Sequence, residues 1–361
     1  MKVLIVANAD IGLYKFRKEL LEELVKKNEV YIALPKGEFY NELVAIGCHY
    51  IVTELDRHGT NPLKELKVVS LYKRIIKEVK PDIVFTYTIK PNVYAGMACA
   101  ALNIPYVANV TGLGTAVENP GLMQLVTVNL YRYGLRKAQK VFFQNTENRD
   151  FMVNKGVVKG AYDVLPGSGV NLNNYTVSEY PNGETVDFVF VSRIMKEKGI
   201  DQYLDAAKEI RKRHHETRFH ICGFCEQAYE EELQRLNEDG TIIYHGLVKN
   251  MAAIYRQMSC TIHPTYYPEG LSNVLLESVA SGRPIITTNR SGCREVVDDG
   301  VNGYVVEEKN SQDLIEKIEM FLAKSVEERK QMGLAGRAKV EKEFNRQIVI
   351  DKYLAELKEK Q

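Results

Sequence analysis

The 361 residues contain no tryptophan, only six cysteines and only eleven prolines. Six thiols at Cys48, Cys99, Cys222, Cys225, Cys260 and Cys293 are too few and too scattered for a disulfide framework. Only Cys222 and Cys225 form a CxxC, and with no second such pair a zinc site is not indicated. No run approaches the roughly 18 to 20 apolar residues needed to span a bilayer. The first strand-like stretch, Met1–Ala7, is apolar for only five residues before Asn8 and Asp10, too short for a signal-peptide core. The expected location is therefore the cytoplasm, with any contact at the inner face of the plasma membrane peripheral. Net charge is nearly absent as well, at +1, but it is unevenly divided. Residues 1–170 carry 22 Lys and Arg against 16 Asp and Glu, and the remainder 26 against 31. A modest basic excess on helical stretches such as Lys64–Lys80 and Arg132–Lys140 suits a solvated face or anionic lipid headgroups. No nucleic-acid partner is expected.

What is present is ordinary globular composition, 45% hydrophobic and 26% charged, in a chain long enough for two cores. Short β-branched runs alternate with amphipathic stretches: Val3–Ala7, Lys15–Lys27, Val30–Leu34, Phe39–Ile46, Ile83–Thr86, Val93–Leu102, Tyr106–Val110, Leu122–Lys137 and Val141–Gln144. The pattern predicts a doubly wound α/β domain over 1–170. A stretch rich in Pro, Gly and Asn follows, read as a linker over 171–186. The rhythm restarts at Phe188 and predicts a second such domain over 187–343. A last helical segment, 344–361, is expected to pack back on the first domain. Open α/β sheets bind ligands outside the carboxyl ends of their strands, so two of them define a central cleft for a two-substrate transfer.

Three segments carry candidate chemistry. In Pro264–Glu277, a strand passes into a helix expected to start near Leu271, which would aim the amides of Gly270, Leu271, Ser272 and Asn273 at an anion. Glu277 lies six residues beyond Leu271, roughly 9 Å along a helix axis. That span matches a diphosphate and its ribose, and a carboxylate is a natural reader of a ribose diol. Glu269, ahead of the helix, would stand beside a transferred sugar. In Ser192–Gly199, Arg193 and Lys198 supply two cations for a departing diphosphate, so that no metal is required. In Ala7–Arg17, a loop at Gly12 would let the backbone approach the donor diphosphate from the opposite domain, with Tyr14, Lys15 and Arg17 facing an acceptor.

Taken in order, Gly12, Thr111-Gly-Leu-Gly114, Ser192-Arg193…Lys198-Gly199, His245-Gly246, Glu269-Gly-Leu…Glu277 and Gly292-Cys-Arg-Glu295 resemble retaining glycosyltransferases of the GT-B fold, family 4. The resemblance implies two Rossmann-like domains and a nucleotide-sugar donor, a UDP-hexose or UDP-N-acetylhexosamine. The acceptor it implies is a saccharide in capsule, lipopolysaccharide or lipid-linked oligosaccharide assembly, and the basic first domain suggests that it is polyprenyl-linked. It places Arg193 and Lys198 on the diphosphate, Glu277 on the ribose and Glu269 near the sugar. The base then falls near Gly223, Leu247 and Val248, and Thr111 and Gly112 on the acceptor side. Two departures stand out. The loop Asn109–Gly114 lacks the family's histidine, and Cys225 replaces the second glycine of a Gly-x-Gly, so the CxxC reads as a substitution. Other readings are a GT-B UDP-sugar epimerase and an inactive sugar-nucleotide binder. A Rossmann oxidoreductase is disfavoured, because neither Gly112-Leu-Gly114 nor Gly167-Ser-Gly169 has its third glycine.

Overall fold

The computed structural model of the protein describes residues 1–53 and 62–358. The side chain of Lys64 and residues 359–361, which the expected basic and C-terminal helices included, lie outside it. Two compact units result: Met1–Ser168 with Gln347–Gln361, and Gly169–Arg346.

Unit 1 alternates β1 (Lys2–Val6), α1 (Asp10–Val25), β2 (Glu29–Leu34), α2 (Tyr40–Ala45), β3 (His49–Val52), α3 (Pro62–Val79), β4 (Ile83–Tyr87), α4 (Gly96–Leu102), β5 (Tyr106–Val110), α5 (Leu122–Leu135), β6 (Lys140–Phe143), α6 (Thr146–Asn154) and β7 (Ala161–Val164). Its parallel sheet runs β3-β2-β1-β4-β5-β6-β7. Helices cover both faces, so β4 and β5 are buried at every position and read as unbroken apolar runs.

Unit 2 continues with β8 (Val186–Val191), α7 (Ile200–Arg213), β9 (Thr217–Cys222), α8 (Glu230–Glu238), β10 (Ile243–Gly246), α9 (Met251–Gln257), β11 (Cys260–His263), α10 (Asn273–Ala280), β12 (Ile285–Thr288), β13 (Gly303–Val306), α11 (Ser311–Leu322) and α12 (Val326–Glu343), after which α13 (Arg346–Lys358) returns the chain to unit 1. Its sheet order is β10-β9-β8-β11-β12-β13, again parallel.

Two details of organisation differ from the sequence reading. The stretch 171–186 is not a free linker. Leu172 and Tyr175 pack on the cluster of Leu275, Leu276, Val279 and Phe344, and the Tyr180 hydroxyl donates to the Ser259 carbonyl at 2.8 Å. Apolar anchors spaced among its polar residues build it into unit 2. The helix after β1 starts at Asp10, five residues before the expected Lys15, because the Asp10 carboxylate accepts from the amides of Ile11 and Phe39, both at 2.7 Å. The last helix, α13, joins the core of unit 1 through Val349, Ile350, Tyr353 and Leu357, beside Ile5, Phe85 and Phe142.

Candidate functional site

In unit 2, β8 and β11 are neighbours, and the chain winds outward from them in opposite directions. Such a reversal opens a crevice at the carboxyl ends of the strands. Three loops meet there. The loop after β8 is tied to the loop after β11 by the Tyr266 amide on the Glu197 carbonyl at 2.9 Å. Gly199, at φ 79°, is required by this contact, since a Cβ would lie 2.2 Å from the Pro264 carbonyl oxygen. Gly223, in the loop after β9, would likewise drive a Cβ to 1.7 Å from the Ser192 carbonyl oxygen.

The loops gather four charges around one aromatic ring. Lys198, 5% exposed, is ion-paired with Glu269, and Arg193 pairs with Glu226 at 2.5 Å. Tyr267 packs against both cations, its ring centroid 4.5 Å from Lys198 Nζ and 5.5 Å from the Arg193 guanidinium carbon. Glu226 is held in place by backbone bonds from Ile194 to Phe224 and from Glu226 to Ile194 at 2.8 and 3.0 Å. Although burial opposes its charge, the carboxylate of Glu226 and the phenol of Tyr267 hold the Arg193 guanidinium above its ordinary range. Sequence reasoning named Arg193, Lys198 and Glu269 but missed Tyr267 and Glu226. For Tyr267 the signal was its place two residues before Glu269; Glu226 offered none. Under this cluster lies His263, fully buried with neither ring nitrogen partnered. Burial, with the Lys198 charge adding to it, pushes its pKa down to about 3, so it is neutral.

Helix α10 begins at Asn273 with Ser272 as N-cap, two residues later than expected. The cause is the Ser272 amide, which donates to the Gly292 carbonyl at 2.8 Å. That amide is therefore not aimed at a ligand, and the Leu271 side chain is spent in the core. Glu277 lies five residues beyond the cap, roughly 7.5 Å along the axis. The phenols of Tyr175 and Tyr255 border it; burial, and then the Glu277 charge, raise the Tyr175 phenol. Tyr175 comes from the stretch expected to be a linker, and composition gave no hint of it.

Where a base was expected, the Gly223 amide already donates to the Gly246 carbonyl at 2.8 Å and cannot read a ligand. Leu247 and Phe224 remain exposed on either side, at 68% and 48%, while Val248 packs beside Tyr255 and Met258. Cys222 and Cys225 are free thiols, the former pushed up to about 12 by burial. Among the described residues no group of three His, Cys, Asp or Glu side chains is placed to hold a metal.

In unit 1, Gly12 stands within α1 rather than in a loop, in open space. Tyr14 stacks on Phe39 with centroids 4.7 Å apart, and Lys15 is exposed. Arg17 turns inward and is buried. Thr111 and Gly112, half-buried, follow β5.

Residues 176–339 match the family model "Glycosyl transferases group 1", and residues 2–145 match "Glycosyl transferase 4-like". The chain is 26% identical to the N,N'-diacetylbacillosaminyl-diphospho-undecaprenol alpha-1,3-N-acetylgalactosaminyltransferase of Campylobacter jejuni, over 98% of this chain and 97% of that one. A GDP-mannose-dependent phosphatidylinositol monomannoside mannosyltransferase of Mycolicibacterium smegmatis is also 26% identical, over 90% and 89%. Among solved structures, Anabaena HepE in complex with UDP and glucose superposes with a TM-score of 0.81 at 18% identity, over the whole of both chains.

Proposed function

We propose, for a chain that belongs to the group 1 and 4-like glycosyltransferases and has the GT-B fold, that unit 2 holds a UDP-sugar and that the acceptor is a lipid-linked saccharide. The enzyme class and its place in glycan assembly come with the family; the donor base, the acceptor and the stereochemistry are our reading. The observation that carries it is the buried Lys198 beside Arg193 at the sheet reversal, each cation on a carboxylate that a diphosphate can replace. Glu277 then reads the ribose, and the exposed Leu247 and Phe224 flank the base. Glu269, released from Lys198, accepts from sugar hydroxyls.

In the reaction the bond from the anomeric carbon to the leaving phosphate oxygen breaks as the acceptor oxygen bonds to the same face. The acceptor proton passes to the leaving diphosphate, whose growing charge Arg193 and Lys198 stabilise without a metal. We read the transfer as attack with retention, which needs no covalent sugar intermediate.

Titrating UDP and GDP against the full chain, then analysing the product anomer by NMR, tests this reading. Preference for UDP, a retained anomer and full turnover in EDTA are expected; preference for GDP, inversion or a strict metal requirement would each refute the corresponding part. Peripheral membrane contact is assigned to α5, which exposes Leu122, Met123, Leu125 and Val126 ahead of Arg132, Arg136 and Lys137. No helix among the described residues is long and apolar enough to cross a membrane. Leu125→Glu should reduce co-sedimentation with anionic vesicles severalfold.

A further inference from the structure

The inner face of α1 carries Leu13, Leu20, Leu21 and Leu24, and in the middle of this leucine series stands Arg17, 4% exposed. A buried guanidinium must be repaid by acceptors, and two other arginines of the chain show how. Arg283 is 1% exposed and donates to the Tyr255, Arg256 and Glu179 carbonyls and the Ser178 hydroxyl. Arg329, at 8%, donates to the Phe321 and Leu322 carbonyls. Arg17 donates to the carbonyl of its neighbour Phe16 at 2.9 Å and interacts electrostatically with the phenols of Tyr87 and Tyr353, but its Nε has no partner, and no carboxylate among the described residues pairs with it. The rings of Tyr87 and Tyr353 lie 5.3 and 5.9 Å from its guanidinium carbon and repay only part of the desolvation.

The polar groups around it are incomplete in the same way. The Tyr87 hydroxyl has no partner, and Asn109 donates to the Tyr353 hydroxyl at 2.5 Å but leaves its own carbonyl oxygen unpartnered. Tyr87 ends β4, Asn109 is the penultimate residue of β5, Tyr353 lies on α13, and α1 leaves β1. Strands β1 and β4 are where the sheet of unit 1 reverses its winding, the place where such sheets take ligands. Arg17 meets that carboxyl edge through the ring of Tyr87, the last residue of β4.

We propose that Arg17 is the cation of an anion subsite in unit 1, and that its ligand is the phosphoryl group through which the saccharide acceptor is carried. Phosphoryl oxygens complete the donors of Arg17 and Tyr87, and a hydroxyl of the ligand completes Asn109. The assignment of acceptor to unit 1 rests on the function proposed above.

The test titrates farnesyl diphosphate, and separately inorganic pyrophosphate, into the full chain saturated with UDP. Wild type should bind both, and Arg17→Met should weaken binding by at least about tenfold while leaving UDP affinity unchanged, the loss of one charge-assisted contact. Arg17→Lys, which keeps the charge without the fork, should fall between. Loss for both probes means that the phosphoryl group alone is read; loss for farnesyl diphosphate alone means that the lipid is part of the ligand. Equal binding by wild type and Arg17→Met, or no binding by wild type, overturns the subsite. If Arg17→Met does not fold, the Arg17 Nε signal in the NMR spectrum of wild type, assigned through Arg17→Lys, decides, and no shift with pyrophosphate overturns it. Failure of wild type to bind UDP in its own titration would sink the donor reading and leave this comparison standing.

Discussion

The two units meet anions differently. In unit 2 both cations at the sheet reversal already have carboxylates, Glu269 on Lys198 and Glu226 on Arg193. In unit 1 the cation at the corresponding reversal has none. A site with its own counterions exchanges one anion for another and keeps its net charge low when empty. A site without them gains more from each anion but holds an uncompensated charge until one arrives. The difference teaches that the strength of a binding site cannot be ranked by its cations alone; the carboxylates that must leave matter as much.

The comparison can be broken most forcefully at Lys198 and Arg193. Replacing either by alanine should lower turnover by about 100-fold or more, as removing an oxyanion donor does. Unchanged kcat in both would dissolve the donor site. Next, Glu277→Ala should weaken UDP by about tenfold and leave inorganic pyrophosphate untouched, because only the ribose contact is lost. Equal loss for both ligands would place Glu277 elsewhere.

Acid offers a third test, since unit 2 alone holds a buried, depressed histidine among the described residues. The native state keeps His263 neutral down to about pH 3, whereas an unfolded histidine takes its proton near 6.5. Its stabilising share is thus complete above about pH 6.5 and is lost as pH falls, on the order of 3 kcal/mol by pH 4.5. Calorimetry should show unit 2 melting earlier at pH 4.5, and His263→Leu should remove most of that shift. The smallest effect is expected for Glu226→Gln. Freeing Arg193 from a half-exposed partner should tighten UDP by two- to fivefold, in keeping with the modest worth of such pairs. Weaker UDP binding would instead make Glu226 a ligand contact.

The fold was legible where strands are central. Val3–Val6, Ile83–Thr86 and Tyr106–Val110 are buried on both faces, and their apolar runs announce a parallel sheet. The strands β3, β7 and β13 went unread; β3 and β7 are four-residue edge strands whose partial exposure blurs the signal, whereas β13 is short but largely buried. In the candidate site, Arg193, Lys198, Glu269 and Glu277 were legible because glycines and charges cluster at strand ends. Tyr175 and Glu226 were not, since they reach the site through tertiary packing that no local spacing records. Arg17 was read as facing an acceptor from the start of the helix; α1 instead begins at Asp10, and Arg17 lies on its buried face with Leu13, Leu20, Leu21 and Leu24.

One consequence concerns synthesis. Unit 2 is a single uninterrupted stretch, and every residue of it is synthesised before most of α13. Unit 1 begins first but waits for Val349, Ile350, Tyr353 and Leu357, which are made after the whole of unit 2. The domain translated first is therefore the one completed last, and during that interval its half-built core is the part of the nascent chain most in need of protection. A premature stop near residue 346 would leave unit 2 whole and unit 1 permanently unfinished.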